Sequence, residues 1–471
     1  MFLSQLKQSL ATLGFSLVLT FLPFSYPQAA SANQFSPTAG PQLDKELTAL
    51  VGDTGTQVPG LGVIVYQNGH KVYSKFLGHR YIDAKNSAKN LPITAATRFR
   101  VASVAKQFTA FSILQLIDQG KLALDGDISQ YLGFTLRNPN YPDTPLTVRM
   151  LLSHTSSLRD GKLYAIPPEY SVREMFTPTG KYWEAGKHFA PAGQAPGQYF
   201  QYGNINYGLL GTIIEAVTKE RFDLYQKTHI LKALDIQADY LPGNLPPDQY
   251  KLVGNIYQKQ QNGTWQEKGP WVAQINGYPA KQPPADYVLI QNPDARQTDT
   301  WYSLKNYQSG TNATIFSPQG GLLLSYNDLE HCLQLLLNKG KFRGRQIIKP
   351  ALMQEMLTPQ WRYDAKLKNG STYGGTIEAY CMAEFPIFGN STSRVCKDHE
   401  INLLGHTGEA YGLLSGIFIT PDHKNGFLYM MNGEAVAEDD DSRSAGTFSS
   451  NYIWEENIMN AICKNVFFSG K

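Results

Sequence analysis

Charge is scarce in this chain. Asp, Glu, Lys and Arg make up only 17% of its 471 residues, and they nearly cancel, to a formal net charge of +3. With no block or stripe of basic residues, the sequence carries no electrostatic footprint for nucleic acid or for an anionic membrane surface. Aromatics are plentiful at 12%, so the composition is that of a packed globular chain, not a disordered one. Long apolar runs are missing after the N-terminus. The one such run, LATLGFSLVLTFLPF, is interrupted by Pro23 and is short for a bilayer span. It follows Lys7 and precedes Ala30-Ser31-Ala32, the order of a secretory leader. The reading is therefore a signal peptide at residues 1–32 and an exported mature domain at 33–471, periplasmic or secreted, with no stable membrane span.

Cysteine is also sparse. Cys332, Cys381, Cys396 and Cys463 contain no CxxC spacing, which argues against a zinc or dithiol motif. An even count in an exported chain favours disulfides, and three pairings are open to sequence alone. Cys381–Cys396, flanking the FGNST loop, is the expected local bridge. Cys332–Cys463 would join two later helical segments, or remain a thiol pair. Other signatures are missing too: no Gly-x-Ser-x-Gly elbow, no His-Glu-x-x-His and no Gly-rich phosphate loop.

What is present begins with strands. LGVIVYQNGHKVYSKFLGHRYID reads as strand, turn, strand around Asn68-Gly69. Helical periodicity follows in FTAFSILQLIDQGKL, LTVRMLLSHTSSL, INYGLLGTIIEAVTK and GGLLLSYNDLEHCLQLLLNKG. Further strands are expected in YGGTIEAYCMAEF, INLLGHTGEAYG, LLSGIFITPD and KNGFLYMMNG, then a last helix near WEENIMNAICKN. This order predicts an α/β (α+β) fold: one antiparallel sheet built from both chain ends, flanked by helices, with an inserted, mostly helical lobe over about 95–330. Residues 236–312, rich in Pro, Gln, Tyr and Trp, read as an insertion within that lobe. Its Trp265, Trp271, Tyr278, Tyr287, Trp301 and Tyr302 would either wall an extended substrate site or pack the insertion's own core.

The chemistry concentrates in three stretches. In RVASVAKQFTAF, Ser103 and Lys106 stand at i and i+3, on one face of a helix start. A helix cap with a solvated lysine is the ordinary explanation. A buried lysine of lowered pKa would instead be a base able to take the serine proton. In QYFQYGNINYG, Tyr202 and Asn204 precede a helix, as a proton shuttle and an amide-binding hand. In LLGHTGEAYG, His406, Thr407 and Gly408 lie on a strand where glycine marks close backbone approach.

In this order the three stretches resemble the serine penicillin-recognising hydrolases: class C β-lactamases, DD-carboxypeptidases, D-stereospecific peptidases and related esterases. RFRVASVAKQFTA, LTVRMLLSHTSSL, YGNINYGLLGTIIEAV and SPQGGLLLSYNDLEHCLQLLLNKG extend the likeness across most of residues 40–465. The resemblance implies Ser103 as the acylated nucleophile, Lys106 as its base and Tyr202 as proton donor to the leaving group. Asn204 would bind the acyl side chain. The N–H groups of Ser103 and Glu409 would form the oxyanion hole, beside His406, Thr407 and Gly408. No metal or cofactor is implied, and the partners are a small peptide, β-lactam or ester. His154 is expected to be structural.

Two departures bear on substrate. His406 stands where the family often has lysine, which removes a permanent cation and counts against a dedicated β-lactamase. Glu409 replaces a commonly small residue and would favour amines if it faces the cleft, or be neutral to substrate if it faces away. The resulting expectation is a D-Ala-D-Ala carboxypeptidase or D-stereospecific peptidase. An esterase, a weak β-lactamase and a penicillin-binding receptor with little turnover are the alternatives.

Overall fold

The computed structural model describes residues 39–290, 300–437 and 444–469. The expected leader at 1–32 and the start of the mature chain at Asn33 lie outside the described residues.

The central sheet has seven antiparallel strands, in the spatial order Phe385–Ile387, Leu403–Ala410, Leu413–Ile419, Gly426–Met431, Gly60–Gln67, His70–Tyr81 and Leu91–Pro92. Both chain ends therefore build it. Gly60–Gln67, from the N-terminal end, pairs with Gly426–Met431 from the C-terminal end, Leu61 opposite Met431. At the first hairpin Asn68 and Gly69 adopt φ of 51° and 77°. Two successive positive values suit the twist of the flanking strands, which is why Asn-Gly serves here. The middle strands are buried throughout, so Leu413–Ile419 and Gly426–Met431 read as continuous apolar runs.

Helices Ala39–Ala49 and Ile453–Ile462 belong to the two ends, and Lys106–Asp118, Ile205–Thr218 and Tyr326–Leu337 to the stretch between them. The first two of the latter carry Ser103/Lys106 and Tyr202/Asn204 at their N-terminal ends. Tyr326–Leu337 opens with a reciprocal cap in which Ser325 Oγ accepts from Asp328 N–H and Asp328 accepts from Ser325 N–H. The same Asp328 takes the buried guanidinium of Arg98. Arg98 lies on a short strand, Arg98–Arg100, paired with Leu323–Ser325. The chain leaving that strand is the turn that carries Ser103, so a buried ion pair and a helix cap fix where the turn begins.

Three expectations change. LTVRMLLSHTSSL is helical only over Val148–Leu152, because His154 and Ser157 take φ of 56° and 63° and divert the chain toward the site. The described residues of 236–312, read as an insertion within the mostly helical lobe, bear strands beside the short helix Pro247–Tyr250. Ile256–Gln261 pairs in parallel with Gly433–Glu434 and antiparallel with Trp271–Ile275, and Tyr287–Ile290 pairs with Thr300–Ser303. Third, the disulfide joins Cys396 to Cys463, with Cα atoms 5.8 Å apart. Both expected pairings are thus overturned. Cys381 and Cys332 are buried free thiols, turned to Leu357 O and Gln107 Oε1. Packing decides this: the 396 loop lies against the last helix, where Asn460 Oδ1 accepts from Lys397 N–H.

Candidate active site

Ser103 sits in a tight turn, Ala102–Ala105, immediately before helix Lys106–Asp118. Ala102 is held at φ 48°, a conformation that costs a non-glycine residue on the order of 1 kcal/mol or more. That local strain turns the serine outward from the helix start.

The Ser103 hydroxyl oxygen lies 3.0 Å from Lys106 Nζ and 2.8 Å from the Tyr202 hydroxyl, which donates to it. Lys106 also meets Asn204 Oδ1 at 2.9 Å and Gln319 O at 3.1 Å. It is fully buried, and loss of solvation brings its pKa down to about 7, against a smaller opposing effect of Asp160. A neutral amine has two hydrogens and one lone pair. Two carbonyl oxygens take the hydrogens, which leaves the lone pair for the Ser103 proton. Burial holds the Tyr202 phenol well above its ordinary value, so it stays protonated and can serve as a donor. The network therefore sets an amine with a free lone pair and a protonated phenol within hydrogen-bond reach of one serine hydroxyl, the groups that acyl transfer requires.

Asn204 is oriented by Asp160. Its Nδ2 faces Asp160 Oδ2 at 3.3 Å, which leaves Oδ1 for the lysine. Asp160 Oδ1 also accepts Ile205 N–H at 2.8 Å, at the start of helix Ile205–Thr218. His154 Nδ1 accepts from Gly203 N–H at 3.2 Å, and its ring lies 4.2 Å from that of Tyr202. It buttresses the tyrosine, in line with the structural role expected.

Strand Leu403–Ala410 closes the other side. Its outer neighbour Phe385–Ile387 pairs only with Leu403–Gly405, so the edge from His406 onward is left bare by that neighbour. A Cβ on Gly408 would stand 2.5 Å from Val101 O and 3.0 Å from Ser103 N, so only glycine lets this strand lie against the serine turn. His406 is buried and its pKa falls to about 3, through burial first and the Lys106 charge second. Its Nδ1 faces Thr407 O, a pure acceptor, so the proton is on Nδ1 and Nε2 accepts from the Tyr380 hydroxyl at 3.0 Å. His406 is thus uncharged at any ordinary pH.

Two hollows open beside Ser103. The wider, about 640 Å³, is lined by Tyr202, Asn204, Tyr373, His406, Thr407, Glu409, Tyr452 and Glu455. The narrower alcove, about 100 Å³, is lined by Arg100, Tyr164, Asn204, Gln319, Glu409 and Tyr411. Glu409 borders both, so it faces the cleft. Among the described residues no lysine or arginine lines the wider hollow. Glu455 there is buried and its pKa rises to about 7, chiefly through desolvation, while Tyr429 O–H donates to it at 2.7 Å. None of the six insertion aromatics lines either hollow. Tyr287 and Trp301 line a separate cavity, and Tyr302 packs on the main core.

The structure thus brings Ser103, Lys106, Tyr202, Asn204, His406, Thr407, Gly408 and Glu409 to one place. Sequence reading missed Asp160, Gln319, Tyr380, Tyr452 and Glu455. Of these only Asp160 carried a signal, as a lone acid six residues after His154 in HTSSLRD.

Two measurable consequences arise here. kcat/KM should rise with pH through a limb near pH 7, as Lys106 loses its proton, with no limb from His406 between pH 5 and 8; a pH–rate profile of wild type checks both. Asp160→Ala should lower kcat/KM by about tenfold to a hundredfold, the worth of hydrogen bonds to a charged group. It should also move that limb to lower pH, because the Asp160 charge is what raises Lys106. A purely structural loss would leave the limb in place.

The chain belongs to the Beta-lactamase family, whose model matches residues 43–450, and the family's members are serine hydrolases of the β-lactamase fold. It is similar to protein flp of Staphylococcus aureus (strain MRSA252), 27% identical over 200 residues, 42% of this chain and 38% of that protein. It is also similar to the putative penicillin-binding protein PbpX of Bacillus subtilis (strain 168), 28% identical over 48% of this chain and 51% of that protein. The chain thus spans about half or less of the length of these curated relatives. Among solved structures, EstCE1, a hydrolase with promiscuous acyltransferase activity, aligns at TM-score 0.58 and 18% identity over 90% of this chain and 99% of that one. The D-amino acid amidase of Ochrobactrum anthropi SV3, complexed with D-phenylalanine, aligns at 0.55 and 18% over 92% and 98%. At such identities the likeness is one of fold.

Proposed function

We propose that this protein is an exported serine hydrolase that forms an acyl-enzyme on Ser103 and cleaves peptides or amides containing D-amino acids. The observation that carries the reading is the convergence of Lys106 Nζ and the Tyr202 hydroxyl on one serine oxygen. Neutral Lys106 takes the Ser103 proton as Oγ attacks the carbonyl carbon. The N–H groups of Ser103 and Glu409 hold the oxyanion. Tyr202 gives its proton to the departing nitrogen, and the proton on Lys106 replaces it through the same network. Water then repeats the sequence on the acyl-enzyme. Preorganised donors of this kind are worth about 2.7–4 kcal/mol each.

The charge of the wider hollow favours a D-stereospecific peptidase or amidase over a D-Ala-D-Ala carboxypeptidase. Tyr202 lines that hollow, so the leaving group lies there. A free C-terminal carboxylate would meet Glu409 and Glu455 with no described cation to offset them. The same argument disfavours β-lactams, which carry a carboxylate. Simple esters need only the serine, its base and the oxyanion hole, and esterase activity is the second reading. Export rests on the leader-like N-terminus and fits a disulfide-bonded chain.

The test is time-resolved intact-mass spectrometry of purified protein with penicillin, a D-Ala-D-Ala peptide, D-phenylalanine amide and a short-chain nitrophenyl ester in parallel. A Ser103 adduct with turnover of the D-amide is the expected result. Turnover of the ester alone would establish the esterase reading, and preferred release of D-Ala would restore the carboxypeptidase. A lasting penicillin adduct without any turnover would mean a receptor.

A further inference from the structure

The alcove on the far side of Ser103 contains a feature the proposed reaction does not use. Arg100 lines it, two residues past the ion-paired Arg98, yet the Arg100 guanidinium makes no hydrogen bond or ion pair among the described residues. Its charge eases ionisation of the Tyr164 phenol, against a larger effect of burial. A guanidinium carries five donors in a planar fork, suited to a carboxylate. The other charged side chain of the alcove, Glu409, is held from the wider hollow, where Tyr452 O–H donates to its Oε2 at 3.1 Å. It forms no ion pair with Arg100.

Arg100 also lines a second, largely apolar cavity of about 290 Å³, walled by Ile275, Tyr287, Val288, Trp301 and Phe316. Apolar walls reduce the solvent around a guanidinium and strengthen its attraction for an anion. They also accept methylene groups alongside it.

The position relative to the nucleophile sets which part of a substrate Arg100 meets. Tyr202 borders the wider hollow and not the alcove. With the leaving group on the Tyr202 side, the acyl half points into the alcove. We propose that Arg100 selects acyl groups bearing a carboxylate at the end of an apolar chain, the acyl halves of dicarboxylic-acid monoamides and monoesters. The guanidinium takes the carboxylate, and the chain lies between the alcove and the apolar cavity. This rests on Ser103 being the acylated residue.

Hydrolysis of p-nitrophenyl hydrogen adipate and hydrogen suberate should be compared with that of p-nitrophenyl pentanoate and heptanoate. Wild type should favour the carboxylate-bearing esters by about tenfold or more in kcat/KM, the scale of a charge-assisted hydrogen bond. Arg100→Gln should bring that ratio to one or below, Arg100→Lys should keep part of it, and added salt should reduce it in wild type. Reading the ratio within each variant cancels any general loss of activity. A wild-type preference for the neutral esters, or a ratio that survives Arg100→Gln, would overturn the proposal.

Calorimetric titration with hexanoate and with hexanol measures the same recognition without turnover. Hexanoate should bind wild type more tightly than hexanol, with the difference lost in Arg100→Gln. Equal or absent binding of hexanoate in wild type would overturn the proposal even if Ser103 acylates normally. Arg100-dependent hexanoate binding in a protein that never acylates would support the anion site and count against Ser103 as the nucleophile.

Discussion

Ser103→Ala is expected to abolish covalent labelling and to lower turnover of any accepted substrate by roughly 10⁶-fold, the scale at which a serine nucleophile acting with its base is lost. The fold should be unaffected. Among the described residues the hydroxyl is joined only to Lys106 and Tyr202, and both keep other contacts: Lys106 with Asn204 Oδ1 and Gln319 O, Tyr202 with the His154 ring. The check is intact-mass labelling with a fluorescent penicillin or an activated ester, beside a thermal melt. An adduct that persists on the variant, mapped by peptide digestion, would remove Ser103 from the nucleophile position.

Lys106→Met is the second large effect, and it separates catalysis from stability. Without a base, acylation should fall by about 10³- to 10⁶-fold. Stability should change in the other direction at low pH. An unfolded lysine titrates near 10.5 and the buried one near 7, so below pH 7 the fold carries a charged ammonium at a cost of about 5 kcal/mol. Between those values the unfolded state binds one more proton than the folded state, and wild-type stability rises with pH. The methionine variant lacks this term. The two carbonyl oxygens it leaves without a donor cost the same at every pH. Its stability relative to wild type should therefore drop by about 3 kcal/mol from pH 6 to pH 9.5. Denaturant titrations of both proteins at the two pH values check this. Parallel curves would mean that Lys106 titrates as an ordinary lysine and is no base near neutrality.

The largest effects thus reside in one buried amine, and burial is what a sequence states least directly. SxxK put Ser103 and Lys106 on one helical face through a three-residue spacing, a local fact. That the lysine is desolvated depends on Asn204 and Gln319, distant by 98 and 213 residues, closing over it. The same division holds for His406. Its identity warned of a missing cation, while its fixed neutrality comes from burial against Tyr380 and the charge of Lys106. Glu409 could face either way on a strand of unknown register; the serine turn packed on Gly408 settled that it borders the cleft.

By itself, the sequence determined what local rules and the order of segments can carry: the Asn-Gly hairpin, a sheet assembled from both chain ends, the helix starts that bear Ser103 and Asn204, and the glycine at 408. The disulfide partners, the strand-bearing insertion, the hold of Asp160 on Asn204, the carboxylates of the wider hollow and the Arg100 guanidinium, unpaired among the described residues, were decided only by tertiary structure. Each depends on which distant groups exclude water from, or place charge beside, a given atom. Desolvation and Coulomb energy follow distance in space, and separation along the chain does not encode it.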